Sequence, residues 1–314
     1  GVLVIRARAW PGDRDYAVTH EIFNVVGRRR WDLVHCQGAH TLVAPTAMLA
    51  AWRANIPYVV SFHSGGHSSR LRNMVRGSQW TMLRPLFGRA SRLIAVSEFE
   101  AAWFRRQLRL TPERIAVIPN GVQISTIPTP DTQQNGTLIA SVGRLERYKG
   151  HHRVIAALPS ILTQRPDARL RIVGSGPYEA KLRQQARNLG VADRVEIRSI
   201  PSDDRAGMAA ILAEASVVTL LSEYESHGIA AVEAISLKRS VLVSANSALR
   251  EMADAGLAQA ISSGSSPRQI AAAILGLIDE PLKPPDIELP SWDDCANRLI
   301  DTYRSVLGSP ACAS

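Results

Sequence analysis

The chain has 314 residues, 46% of them apolar and 21% charged, which excludes wholesale disorder and allows two ordinary domain cores. Its formal charge of +9 is lopsided: residues 1–130 carry 17 arginines, no lysine and seven acids, while the remainder carries 20 basic and 21 acidic residues. No apolar run approaches the roughly 18 residues of a membrane span.

Short β-branched runs alternate with helical stretches along the whole length. In the first half, strands are expected at Val2–Ile5, Leu33–His35, Tyr58–Phe62, Leu93–Val96 and Ile115–Ile118, with helices at Ala44–Asn55 and Glu98–Leu108. Between them, Ser69–Ile94 combines six arginines and no acid with Leu71, Met74, Val75, Trp80, Met82, Leu83, Leu86 and Phe87. Such a basic amphipathic stretch suits an anionic membrane interface, or equally the flank of a sheet. Residues 123–137, QISTIPTPDTQQNGT, lack periodicity, are rich in turn formers and read as a linker. Strands resume at Leu138–Val142, Leu170–Val173, Val195–Ile197, Val217–Leu221 and Val241–Val243, with helices at Ile155–Thr163, Pro177–Leu189 and Ala230–Leu237. Most of these strands are continuous apolar runs, as parallel strands covered on both faces are. The fold class expected is therefore α/β, with doubly wound sheets and a ligand cleft between two units.

Cys36, Cys295 and Cys312 are scattered and show no paired spacing, so neither a disulfide framework nor a zinc site is expected. No charged-then-apolar leader opens the sequence, and a soluble or peripheral protein of a reducing cytoplasm is the expectation. The arginine-rich half calls for an anionic partner, which could be nucleic acid, a phospholipid surface or a phosphorylated substrate. No nucleic-acid module is recognisable, and few aromatics interleave with the arginines; nucleic acid is set aside.

Three motifs carry chemistry. Gly143-Arg144-Leu145-Glu146-Arg147-Tyr148-Lys149-Gly150 follows a strand directly, and ligands bind at the carboxyl ends of parallel strands. An arginine fork and a lysine point charge five residues apart suit a diphosphate; two solvated loop cations fit the same letters. Val173-Gly174-Ser175-Gly176-Pro177-Tyr178 is a strand-to-helix glycine turn, but Glu179 stands where the dinucleotide fingerprint needs its third glycine. In Glu223-Tyr224-Glu225-Ser226-His227-Gly228-Ile229-Ala230-Ala231-Val232-Glu233, two carboxylates flank a helix N-terminus, a natural anion site.

These motifs, with the Ile118-Pro119-Asn120-Gly121-Val122 exit from the first domain, occur in an order that resembles retaining glycosyltransferases of the GT-B fold, family 4 (group 1). The resemblance covers nearly the whole chain. It implies two Rossmann-like domains facing across a cleft: an acceptor-side domain at 1–122, apparently lacking its first βα unit, and a nucleotide-sugar domain at 138–290. It also implies that 291–314, with Ser291-Trp292 and Tyr303, forms a terminal helix crossing back to the first domain. By the same resemblance, Arg144 and Lys149 contact the donor diphosphate, Glu225 faces the transferred sugar, Glu233 holds the ribose, and His63 faces the reaction centre, with His67 as its competitor. Gly143, Gly174, Gly176, Ser226, His227, Gly228 and Ile229 line the donor; His227 replaces the aromatic common before that glycine. The implied reaction moves a sugar from a UDP- or GDP-sugar to a glycan or lipid-linked acceptor, as in exopolysaccharide, lipopolysaccharide or glycolipid synthesis. It would run at the inner face of the membrane, with an anionic surface met through 69–94. Neither metal nor cofactor is expected, since Asp203-Asp204 and Asp293-Asp294 are adjacent pairs and the cations can neutralise the diphosphate. The competing reading is a donor-binding remnant without turnover.

Overall fold

The computed structural model describes residues 1–10, 19–28, 31–38, 41–63, 70–122, 137–201, 203–283, 285 and 287–308, with the backbone alone for 70–78. The chain divides into two compact units, Gly1–Pro119 with Asp293–Ser314, and Asn120–Trp292. Of the expected linker only Thr137 is described, and His67 lies outside the described residues.

The first unit runs α1 (His20–Arg28), β1 (Val34–Gln37), α2 (Val43–Arg53), β2 (Tyr58–Ser61), α3 (Arg70–Arg89), β3 (Arg92–Ala95), α4 (Glu98–Leu108) and β4 (Ile115–Val117). Its four strands are all parallel and lie in sequence order. Ser97 caps α4 by accepting from the Glu100 amide, and Glu100 in turn accepts from the Val96 amide. Phe62 stacks on Phe104 with ring centroids 3.5 Å apart, and Trp80 and Phe87 close the same aromatic cluster.

That cluster takes up part of the basic stretch. Trp80, Leu83 and Phe87 of the basic stretch are buried in the core of this unit, so they are not available to a membrane; Met82 is 69% exposed. An apolar helix face beside a sheet gains more from the sheet than from lipid, because packing supplies both burial and close dispersion contacts. Several arginines are also committed to the fold. Arg84 donates twice to the Gln107 carbonyl at the end of α4, and Arg114 donates to the carbonyls of Gly88 and Ala90 at the end of α3. These carbonyls have no helical partner of their own, and the guanidinium fork satisfies them. One expectation fails: Val2–Ile5 forms no strand with any of the described residues, and Val2, Leu3 and Val4 are exposed.

The second unit runs β5 (Leu138–Val142), α5 (His151–Gln164), β6 (Arg169–Val173), α6 (Glu179–Asn188), β7 (Val195–Arg198), α7 (Arg205–Glu214), β8 (Val217–Leu220), α8 (Ile229–Ser236), β9 (Ser240–Ser244), α9 (Ser247–Asp254), β10 (Gln259–Ile261) and α10 (Pro267–Asp279). Its six parallel strands lie in the order β7-β6-β5-β8-β9-β10. Ile155, Leu158, Leu182 and Ile274 cover one face of the sheet, and Leu212, Val232, Ile235 and Leu249 cover the other. The strand β10 escapes the sequence pattern, being three residues long with a polar start. The last helix, α11 (Trp292–Gly308), belongs with the first unit from Asp293 onward. There Cys295 and Leu299 pack against Ile94 and Ile118.

Candidate functional site

The strand order of the second unit reverses between β5 and β8. Connections leave those two strands toward opposite faces of the sheet, which opens a crevice beyond their carboxyl ends. The loop after β5 carries the Gly143–Gly150 motif, and the loop after β8 carries Glu223–Gly228, so the fold itself brings the two motifs together.

Lys149 and Glu225 meet there. The Lys149 Nζ lies 2.6 Å from Glu225 Oε1, with both side chains about 15% exposed. Ser222 Oγ donates to the same carboxylate oxygen at 2.9 Å. The Glu225 backbone is fixed too: its amide donates to Ser247 Oγ at 3.0 Å, and its carbonyl accepts from the Ala248 amide. The Glu223 amide donates to the Tyr148 carbonyl at 2.7 Å and ties the two loops to each other. Their approach explains Gly150: its φ is +80°, and a Cβ there would collide with the Leu221 carbonyl.

Arg144 reaches outward. Its Nη2 donates to Tyr148 Oη at 2.8 Å, its Nη1 lies 3.5 Å from Glu146, and its side chain is 63% exposed. The glycine turn after β6 supports this loop from beneath. Gly143 donates to the Val173 carbonyl, Leu145 to that of Ser175 and Tyr178 to that of Leu145. A Cβ on Gly174 would strike the Gly143 carbonyl, and one on Gly176 would lie 2.5 Å from the Leu145 carbonyl oxygen. Loop-on-loop packing therefore suffices to require both glycines.

Glu233 is held by a different partner from Glu225. It forms an ion pair with Arg205, the first residue of α7, and is 12% exposed against 48% for Arg205. The pair borders a cavity of about 260 Å³ between α7 and α8, lined also by Met208, Ala209, Leu212 and Leu237. Gly228 is the N-cap of α8 and offers no side chain to its first amides, so the helix N-terminus keeps donors for an anion. His227 is half-buried, and Ser226 precedes it in the same turn.

In the first unit, His63 follows β2 and the buried Phe62, with a left-handed φ of +42°. Burial lowers its pKa. A cluster that the sequence does not reveal stands near it. His35 of β1 lies 2.6 Å through Nδ1 from Tyr303 Oη of α11 and 2.8 Å through Nε2 from Ser61 Oγ. Burial, helped by the charge of His63, pushes the His35 pKa down to about 4. Arg205, Ser222 and Ser247 were likewise missed, because an isolated arginine or serine carries no spacing signal. Ser222, three residues before Glu225, is the one that proximity in sequence could have suggested.

Among the described residues, no group of three or more His, Cys, Asp or Glu is placed to hold a metal ion, and no helix is long and apolar enough to cross a membrane. The adjacent Asp pairs are not the whole sequence inventory: Asp13-Arg14-Asp15 has the Asp-x-Asp spacing and lies outside the described residues.

Two parallel α/β units, the second with a doubly wound sheet and both motif loops at its switch point, are the architecture of GT-B proteins. The chain belongs to the glycosyl transferases group 1, whose pattern it matches over residues 126–288; residues 2–126 match Glycosyltransferase Family 4. It is 29% identical over 310 residues to a D-inositol 3-phosphate glycosyltransferase of Nocardiopsis dassonvillei, covering 88% of this chain and 70% of that one. It is 28% identical over 242 residues to a GDP-mannose:cellobiosyl-diphosphopolyprenol alpha-mannosyltransferase of Xanthomonas campestris, covering 74% and 60%. Its fold matches the crystal structure of Anabaena HepE in complex with UDP and glucose, with a TM-score of 0.75, 22% identity and coverage of 91% and 80%.

Proposed function

We propose that this chain transfers a sugar, with retained anomeric configuration and without a metal, from a UDP- or GDP-sugar to a glycan or lipid-linked acceptor. The observation that carries the reading is the Lys149–Glu225 pair at the switch point, beside a helix N-terminus whose N-cap, Gly228, supplies no side-chain cap. Departure of a nucleoside diphosphate develops negative charge on its phosphate oxygens. Fixed cations and amide dipoles already aimed at that point lower the barrier without reorganising.

In this reading Arg144, exposed on its loop, swings onto the diphosphate, and Lys149 divides its charge between Glu225 and the leaving oxygen. Glu225 accepts from hydroxyls of the transferred sugar, Glu233 accepts from the ribose, and His63 faces the acceptor. The leaving phosphate itself takes the acceptor's proton on the face where attack occurs, so no protein nucleophile is required. A lipid-linked acceptor draws support from the Xanthomonas relative, named for a diphosphopolyprenol substrate. An anionic membrane surface would then attract the arginine-rich first unit by charge, at about 1 kcal/mol per arginine near the surface, and not through the buried aromatic face of α3.

The test is a panel of UDP- and GDP-sugars in the presence of a chelator, followed by NMR of the product's anomeric centre. Turnover with retained configuration supports the reading. Inverted product, or loss of turnover on chelation, overturns it, and tight nucleotide binding without turnover of any donor points to the binding-only alternative.

A further inference from the structure

A buried histidine beneath the Gly143–Lys149 loop takes no part in the chemistry above. His151 opens α5 directly after the Gly150 turn and is 1% exposed. Its Nε2 lies 3.2 Å from the carbonyl oxygen of Arg144, and its Nδ1 lies 2.8 Å from Ser141 Oγ on β5. A carbonyl oxygen can only accept, so Nε2 must carry the hydrogen. The Nδ1 lone pair is then free to accept, and the Ser141 hydroxyl donates to it. One tautomer satisfies both contacts, and the neutral ring needs no counter-charge.

The Arg144 carbonyl also accepts from the Glu146 amide at 2.8 Å, which fills its second lone pair. A satisfied core histidine could bond to any pair of groups in the unit. Here the two partners are the strand just before the loop and the backbone of the loop's own arginine. The ring also sits against the loop's first residue, since a Cβ added to Gly143 would lie 3.8 Å from His151 Nε2.

We infer that His151 is a positioning residue for the donor site: locked by Ser141 in the Nε2–H form, it holds the Arg144 backbone so that Arg144 and Lys149 stay at the strand ends where a diphosphate would lie. This rests on the donor-site reading above. Its general logic is that of a hydrogen bond behind a binding group, which fixes orientation rather than touching the ligand.

The experiment uses the full chain uniformly labelled with ¹⁵N. Long-range proton–nitrogen spectra at pH 7 should show His151 as the Nε2–H tautomer, and Ser141→Ala should shift its Nδ1 resonance. Titration with UDP and with GDP should move the His151 ring resonances together with the Gly143 and Gly174 amides. In turnover, folded His151→Phe should lose at least tenfold in kcat while donor KM stays within threefold; Ser141→Ala, a milder change, should lose about threefold in kcat. An Nδ1–H tautomer overturns the proposal, as does a folded His151→Phe with wild-type kcat. So do nucleotide-induced shifts at Gly143 and Gly174 that leave His151 unmoved. If neither nucleotide shifts any of these signals, the donor-site reading itself falls and takes this role with it.

Discussion

Replacing Lys149 by methionine removes a charge and keeps most of the side-chain stem. In the free protein, Glu225 then loses its partner at 2.6 Å and retains the Ser222 hydroxyl. Stranding a largely enclosed carboxylate in this way should cost about 1–3 kcal/mol of stability. The roughly 3–5 kcal/mol seen when a fully buried pair is broken is too much here, because both side chains keep some surface in water. Catalysis should suffer more. A missing donor at the developing diphosphate charge is worth roughly 2–4 kcal/mol, or about 30- to 900-fold in kcat/KM. Urea unfolding measures the first effect, and initial rates on a competent donor measure the second. The two separate in the Lys149→Met/Glu225→Gln double variant. Neutralising both partners should restore about 1 kcal/mol of stability relative to Lys149→Met alone and restore none of the activity. Wild-type kcat/KM in a folded Lys149→Met protein would refute the reasoning.

Four further outcomes are expected. Gly174→Ala drives a Cβ into the Gly143 carbonyl, so its urea midpoint should fall by the equivalent of about 1–3 kcal/mol, with nucleotide affinity at least tenfold weaker; an unchanged midpoint would show that the loops move apart freely. Arg205→Gln releases Glu233 and should lower donor KM about two- to fivefold, the worth of a half-exposed ion pair, with kcat unchanged; a higher KM would mean that Arg205 itself binds the nucleotide. Burial, with the charge of Lys149 adding to it, pushes the His151 pKa down to about 4 although the Arg144 carbonyl favours the protonated ring. The unfolded chain then binds the extra proton between about pH 6.5 and 4, so stability present above 6.5 is lost as pH falls, by about 3 kcal/mol; His151→Phe should flatten the urea midpoint's dependence on pH between 7 and 4.5, and an unaltered slope would contradict it. Trp80→Ala, cut from the core of the first unit, should destabilise by roughly 3–5 kcal/mol and leave salt-sensitive sedimentation with anionic liposomes as it is; a selective loss of liposome binding would return that side chain to the membrane.

Much of the fold was written locally. Continuous apolar runs such as Leu138–Val142 and Val217–Leu220 identify parallel strands because both of their faces need cover. The strand-to-helix turn at Gly174-Ser175-Gly176 was equally legible, whereas the need for Gly150 was not, since the Leu221 carbonyl that excludes its Cβ comes from the end of another strand. Local pattern misled where burial depends on what lies opposite. Val2–Ile5 has the letters of a strand and forms none with the described residues, while Trp80 and Phe87, apolar bulk within the basic stretch, pack on Phe104 and Phe62.

The sequence by itself determined which residues could carry charge chemistry and on which side of a strand end they would fall: Arg144 and Lys149 after β5, Glu225 after β8, Glu233 within α8. It could not determine their partners, because a pairing across 76 residues, as between Lys149 and Glu225, exists only once β5 and β8 lie side by side. The same holds for His151, whose Ser141 and Arg144 contacts come from a turn that folds the chain back over its own start, and for Tyr303, which reaches His35 across 268 residues. Propensity and periodicity act over a few residues and set the elements. Strand order, and the close approach of loops that it enforces, is a property of the assembled sheet, and at this site that order decided which cation would stand beside which carboxylate.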